Sequence, residues 1–112
     1  MAREWENLEA LIEYPKGGVL SKHILRDEKL EATLFCMAGG TSISDHTSTK
    51  EGLVYIIEGR GTFNLGGNKI GMSSGVMIRM GKNAVHSLSA EENTSFLLLL
   101  FPGGKGRDGE RK

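Results

Sequence analysis

The stretch HTSTKEGLVYIIEG, residues 46–59, decides how this chain folds. It opens on His46, continues as an apolar run from Leu53 to Ile57, and ends on Gly59. A short, continuous apolar run bounded by turn residues reads as a strand buried on both faces. A second stretch answers it: GVMIRMGKNAVH, residues 75–86, carries a β-compatible run, a glycine corner at Gly81 and a second histidine, His86. Two histidines so far apart meet only where a sheet curls back on itself, so the pair predicts a rolled-up β-fold with a pocket.

Outward from these stretches the pattern repeats. Val19 to Leu25, Leu30 to Met37 and Ser42 to His46 read as strands before the first stretch. Thr62 to Leu65, Lys69 to Met72, Val76 to Met80, Ala84 to Ser89 and Ser95 to Phe101 follow it. Gly66-Gly67-Asn68 is a hairpin signal. By parity, Glu31, Thr33, Phe35 and Met37 share one strand face, and Ala32, Leu34 and Cys36 the other. Many short strands separated by glycine turns mark an all-β sandwich or barrel. Trp5, Leu8, Leu11 and Ile12 allow a short helix or an extended arm before Pro15 and Gly17-Gly18. The expected organisation is an N-terminal arm (1–16), a barrel (17–102) and a disordered tail (103–112) without large apolar residues.

Composition narrows the function. At 112 residues the chain has room for one domain and one modest core. Fourteen basic and fourteen acidic residues cancel, which gives no electrostatic case for nucleic acid or an anionic membrane. The single cysteine, Cys36, fits a reducing compartment, and acids at Glu4 and Glu6 replace the apolar stretch of a signal peptide. The longest apolar run, Phe96 to Phe101, is far short of a membrane span. The expectation is a cytoplasmic protein. Gly59-Arg60-Gly61 lacks the third glycine and the helix of a dinucleotide fingerprint, so no nucleotide cofactor is expected.

With these residues in view, the chain resembles the cupin superfamily, small jelly-roll barrels marked by two motifs. The family's first motif, Gly-x5-His-x-His-x3,4-Glu-x6-Gly, falls in register on Gly40, His46 and Gly59, with Ser48 at the second histidine and Gly52 at the glutamate. The second, Gly-x5-Pro-x-Gly-x2-His-x3-Asn, falls on Gly75 and His86, with Gly81, Asn83 and Ala90 at the proline, glycine and asparagine. The resemblance implies a cupin-type double-stranded β-helix. It also implies a metal site in the barrel, of which His46 and His86 are the retained ligand positions. Glu51, one residue from the glutamate position, faces the other way in a regular strand and turns inward with a bulge or a loop there. Small members of the family are commonly homodimers in which N-terminal strands add to the partner's sheet, so a homodimer is expected here.

The chemistry of the pair follows from the imidazoles themselves. Two neutral rings hold zinc, iron, manganese, nickel or copper weakly, since tight zinc sites use three or four protein ligands. Without metal the rings act as acid and base or hydrogen-bond a small polar ligand. Parity places Ser48, Gly52, Val54, Ile56 and Leu88 beside the histidines as pocket wall, with Glu51 a further candidate. A glycine at position 52 would leave volume for a ligand, and a ligand carboxylate would complete a metal's coordination. Met37, Met72, Met77 and Met80 read as packing residues, Tyr55 as packing between sheets, and His23 as a surface histidine. Three classes fit the pattern: a metal-dependent enzyme, a small-molecule binding or sensing module, and a structural dimer.

Overall fold

Alternation of apolar and polar residues, cut by glycine corners, builds nine antiparallel strands among the described residues. The computed structural model describes residues 4–102. They form α1 (Leu8–Leu11), β1 (Val19–Arg26), β2 (Glu31–Met37), β3 (Ser42–His46), β4 (Glu51–Glu58), β5 (Gly61–Leu65), β6 (Asn68–Met72), β7 (Met77–Met80), β8 (His86–Ala90) and β9 (Thr94–Phe101). Every strand read from the sequence is present, with ends shifted by one or two residues. The five-stranded sheet has the order β1-β2-β9-β4-β7, and the four-stranded sheet the order β3-β8-β5-β6. This is an all-β jelly roll.

The core lies between the sheets. Met37, Val54, Ile56, Ile78, Met80 and Phe96 come from the larger sheet, and Phe63, Met72, Leu88 and Ala90 from the smaller. Phe35 and Phe96 stack across the β2–β9 ladder, ring centroids 5.0 Å apart. On the larger sheet's other face Leu34, Cys36 and Ser95 are fully buried. There the N-terminal segment lies against the chain's own sheet. The Tyr14 hydroxyl donates to Glu58 Oε2 at 2.7 Å, and Lys22 Nζ donates to the Leu11 carbonyl at 2.8 Å. Burial and then the Glu58 carboxylate push the Tyr14 pKa up to about 12, so the phenol keeps its proton and goes on donating.

Two packing expectations change. Met77 is 64% exposed and Tyr55 45%, because both point to the outer face of the larger sheet, away from its partner sheet. The 103–112 tail lies outside the described residues. Among the described residues no helix is long and apolar enough to cross a membrane.

Candidate functional site

His46 reaches the interior through a backbone irregularity. On β3, Ile43 pairs with Leu88, and His46 pairs with His86. Three steps along β3 therefore match two along β8, the signature of a bulge. In a regular strand Ile43 and His46 would face opposite ways; the extra residue turns both toward the core. His86 needs no such device, since His86, Leu88 and Ala90 alternate inward along β8 and are all buried. The two rings meet edge to face, centroids 4.0 Å apart at 60°. Phe63 backs His86 in a near-parallel stack at 5.9 Å.

Both rings are held in the same tautomer. His46 Nδ1 lies 3.1 Å from the Ser44 carbonyl, and His86 Nδ1 lies 3.1 Å from the Ala84 carbonyl. A carbonyl oxygen only accepts, so each Nδ1 carries the proton and donates it. In the neutral ring each Nε2 is then a lone pair, and neither Nε2 has a hydrogen-bond partner among the described residues. Burial pushes the His86 pKa below its ordinary value, and His46 acts in the same sense; the Ala84 hydrogen bond and Asp45 oppose them. Neutral His86 is thus the favoured form.

The rings open onto a cavity of about 120 Å³ between the two sheets. Phe35, Val54, Phe96, Leu98 and Met80 line it from the larger sheet. Ile43, Phe63 and Leu88 join the histidines on the smaller. It is an apolar chamber with two convergent polar atoms, the usual make-up of a small-molecule site.

Of the residues nominated from sequence, His46, His86, Val54 and Leu88 line this cavity. Ser48, Glu51, Gly52 and Ile56 do not. Ser48 lies past the end of β3, where its Oγ accepts from Lys50 N at 3.1 Å and its carbonyl accepts from Asn83 N at 2.7 Å. Glu51 pairs with Phe101 at the start of β4, where strand alternation puts it on the face opposite Gly52; the bulge in β4 falls later, between Ile56 and Glu58. Ile56 is buried deeper in the core, two residues along β4 from Val54. Gly52 leaves no free volume: a Cβ there would stand 3.0 Å from Met80 Cε and 3.1 Å from Leu100 Cδ2. His23 is exposed on β1, its Nδ1 3.2 Å from Thr33 Oγ1.

Phe35, Ile43, Phe63, Met80, Phe96 and Leu98 were not nominated. Face parity already grouped Phe35 with Met37. Ile43 required knowledge of the bulge, and the others required the strand register.

The donor set does not fit the metal that the fold implies. Two imidazole nitrogens face the cavity, and the glutamate position is a glycine whose space is filled by Met80 and Leu100. Among the described residues no group of three or more His, Cys, Asp or Glu side chains converges on a metal position.

The family model described as the cupin domain matches residues 33–102, and the chain belongs to that family. The fold is shared with a conserved protein of unknown function from Streptococcus pyogenes. That comparison gives 21% identity, a TM-score of 0.82, and coverage of 93% of this chain and 91% of that one. A cupin superfamily protein from Desulfitobacterium hafniense gives 20% identity and a TM-score of 0.82 over 92% and 95% of the two chains. A Cupin 2 conserved barrel domain protein from Leptotrichia buccalis is 28% identical, with a TM-score of 0.80, over 86% of this chain and 47% of that one. No curated protein matches the chain significantly.

Proposed function

We propose that this cupin binds a small organic molecule in its barrel, with His46 and His86 as the polar anchor. The observation that carries the reading is the shared tautomer: both Nδ1 atoms are committed to carbonyls, which leaves two Nε2 acceptors on one apolar cavity. Acceptors call for a donor, so the ligand class is compact, mostly apolar and provided with a hydroxyl or N–H. The cavity of about 120 Å³ is slightly smaller than the roughly 150 Å³ cavity known to take benzene. A ring or branched chain of about that size, its hydroxyl on the imidazoles, fits the chamber.

A second reading has its own support. Donation from Nδ1 to a carbonyl is also how metal-bound histidines are oriented. A divalent ion on the two Nε2 atoms, completed by a ligand's own carboxylate, would use the same geometry.

One titration separates the two. Chelator-washed protein, purified without an affinity tag, is titrated with phenol and with acetate by NMR and analysed for bound metal. Saturable phenol binding without metal, lost in His86→Ala and weakened in His46→Ala, is the expected result. Acetate binding that appears only with added zinc or manganese would establish the second reading. Binding of neither probe under either condition would sink both.

A further inference from the structure

The outer face of the larger sheet hides a thiol under a thin cover. Cys36 on β2 pairs with Ser95 on β9, and both are fully buried. Glu58 pairs with the same Ser95 from β4, so a thiol, a hydroxyl and a carboxylate stand in a row across three strands. Tyr14 closes over the row. Its hydroxyl donates to Glu58 Oε2 at 2.7 Å and lies near enough to Ser95 and Cys36 for both to act on its ionisation. Ser95 Oγ faces this covered space but makes no hydrogen bond of acceptable geometry among the described residues. The cover is the segment 4–16, and none of its residues is buried. Cavities of about 640 Å³ and 270 Å³ flank it, and Trp5, Glu6 and Leu8 line both. Beside the Tyr14–Glu58 bond, Lys22 Nζ anchors the segment by donating to the Leu11 carbonyl at 2.8 Å and pairing with Glu13 at 3.0 Å. A segment that buries little apolar surface opens locally at far lower cost than the whole domain. Closure also carries a penalty, because a buried hydroxyl without a partner forfeits the hydrogen bonds that water would give it. Lifting the segment hydrates Ser95 and uncovers Cys36 in one movement.

We propose that Cys36 is a modification site gated by the segment 4–16, and that its substrate is a small disulfide such as glutathione disulfide. In the open state the thiol loses its proton to solvent, and the thiolate attacks one sulfur of the disulfide. A new S–S bond forms to Cys36 as the original S–S bond breaks, and the departing thiolate takes up a proton. A tripeptide on Cys36 has no room under Tyr14, so the adduct holds the segment off the sheet until a thiol reductant removes it. The inference is independent of the ligand reading: Phe35 lines the barrel cavity, and Cys36, its neighbour on β2, points to the opposite face.

The chain carries one cysteine, so thiol kinetics on the full-length protein report a single position. The probe is excess dithiobis(nitrobenzoate), followed by the colour of the released thiolate. Tyr14→Phe keeps the ring and loses the bond to Glu58, so it should label at least about tenfold faster than the parent. Ser95→Ala removes the penalty of closure and should label several-fold slower. Labelling rates in low urea should rise with a slope well below that of global unfolding, the mark of a local opening. Should Tyr14→Phe not fold, Lys22→Met cuts the two other ties and carries the same expected acceleration. Trypsin gives a second readout. Glutathione disulfide should add one glutathione per chain, and the adduct should be cut after the exposed Lys16 at least about tenfold faster than the reduced protein, since cleavage follows the open population. Dithiothreitol should reverse both changes.

Equal labelling of the parent and Tyr14→Phe, or a urea slope equal to that of global unfolding, would overturn the gate. Labelling of Ser95→Ala no slower than the parent would overturn the part given to the buried hydroxyl. Absence of a glutathione adduct, or an adduct that leaves tryptic cleavage unchanged, would overturn the modification site.

Discussion

The two ends of the barrel are built on opposite plans. At one end β4, β5, β8 and β9 are joined by a dense weave of backbone and side chain. Arg60 N donates to Thr94 Oγ1 at 3.1 Å, that hydroxyl donates on to the Glu92 carbonyl at 2.8 Å, and Glu91 N donates to the Arg60 carbonyl at 2.8 Å. Gly39 N donates to Asn93 Oδ1 at 2.9 Å, and Gly40 N to the Ala90 carbonyl at 2.8 Å. At the other end the strands stop short and leave His46 exposed above the cavity. There the loops are held by sparser ties, such as Lys50 Nζ to Glu31 at 3.1 Å and Asn83 N to the Ser48 carbonyl. A jelly roll that is sealed at one end can leave the other open for chemistry, because stability concentrated in one region frees another from packing duty.

Glycine substitution probes that contrast most sharply. Gly59 sits at φ +118°, and a Cβ there would collide with the Thr94 backbone and hydroxyl and come within 2.6 Å of the Asn93 carbonyl. Nothing flexible is present to yield, since the obstacles are mainly backbone. Gly59→Ala should therefore cost about 3 kcal/mol or more, from overpacking and a strained φ together. A urea titration reads it as a fall in the unfolding midpoint. A loss of under about 1 kcal/mol would mean the sealed end is not the rigid one.

The next effect belongs to the open end and is a pH dependence. His86 has a folded-state pKa below its ordinary value, chiefly through burial. Between that folded value and the unfolded one near ~6.5, the unfolded chain binds more protons than the native one. The stability linked to His86 is therefore complete above the unfolded pKa. It falls as the pH drops through that value, and the loss levels off below the folded pKa. Urea midpoints measured from about pH 7.5 down to about 5.5 should decline in the parent and decline less in His86→Gln. Equal slopes would show that the imidazole is not paying a burial penalty, and the contrast between the ends would lose its electrostatic half.

The sealed end was the more legible one in the sequence. Gly40, Gly59 and Gly75 fall on the motif glycines, and all three adopt positive φ, so their spacing alone fixes the corners. Asn83, where the motif carries glycine, holds φ 65°, a conformation asparagine tolerates better than most residues. The strands were legible from alternation and punctuation. Of the cavity wall, His46, His86, Val54 and Leu88 were legible and the rest was not. Parity carried on from His46 failed for Ser48, because the chain leaves the strand after His46. Gly52 and Ile56 share the inward face of β4 with Val54 but lie at levels the cavity does not reach. The β3 bulge is invisible in a single sequence. The crowding at Gly52 also could not be read locally, since Met80 and Leu100 reach it from the two strands that flank β4.

Gly52→Ala gives the smallest effect and the finest reading of the open end. The added Cβ would meet Met80 Cε at 3.0 Å, Leu100 Cδ2 at 3.1 Å and the Leu99 carbonyl at 3.2 Å. Two of these are the tips of flexible side chains, and the cavity beside Met80 offers room for one of them to move. The backbone there is an ordinary strand without positive φ, so alanine also restricts the unfolded chain and recovers part of the cost. The net change should stay within about 1 kcal/mol, well below that at Gly59. Its signature is local: the Met80 methyl resonance should shift while Thr94 and its neighbours stay put. A loss as large as that of Gly59→Ala would show that Met80 and Leu100 are as immovable as backbone, and the open end would then be sealed in all but its outermost turn.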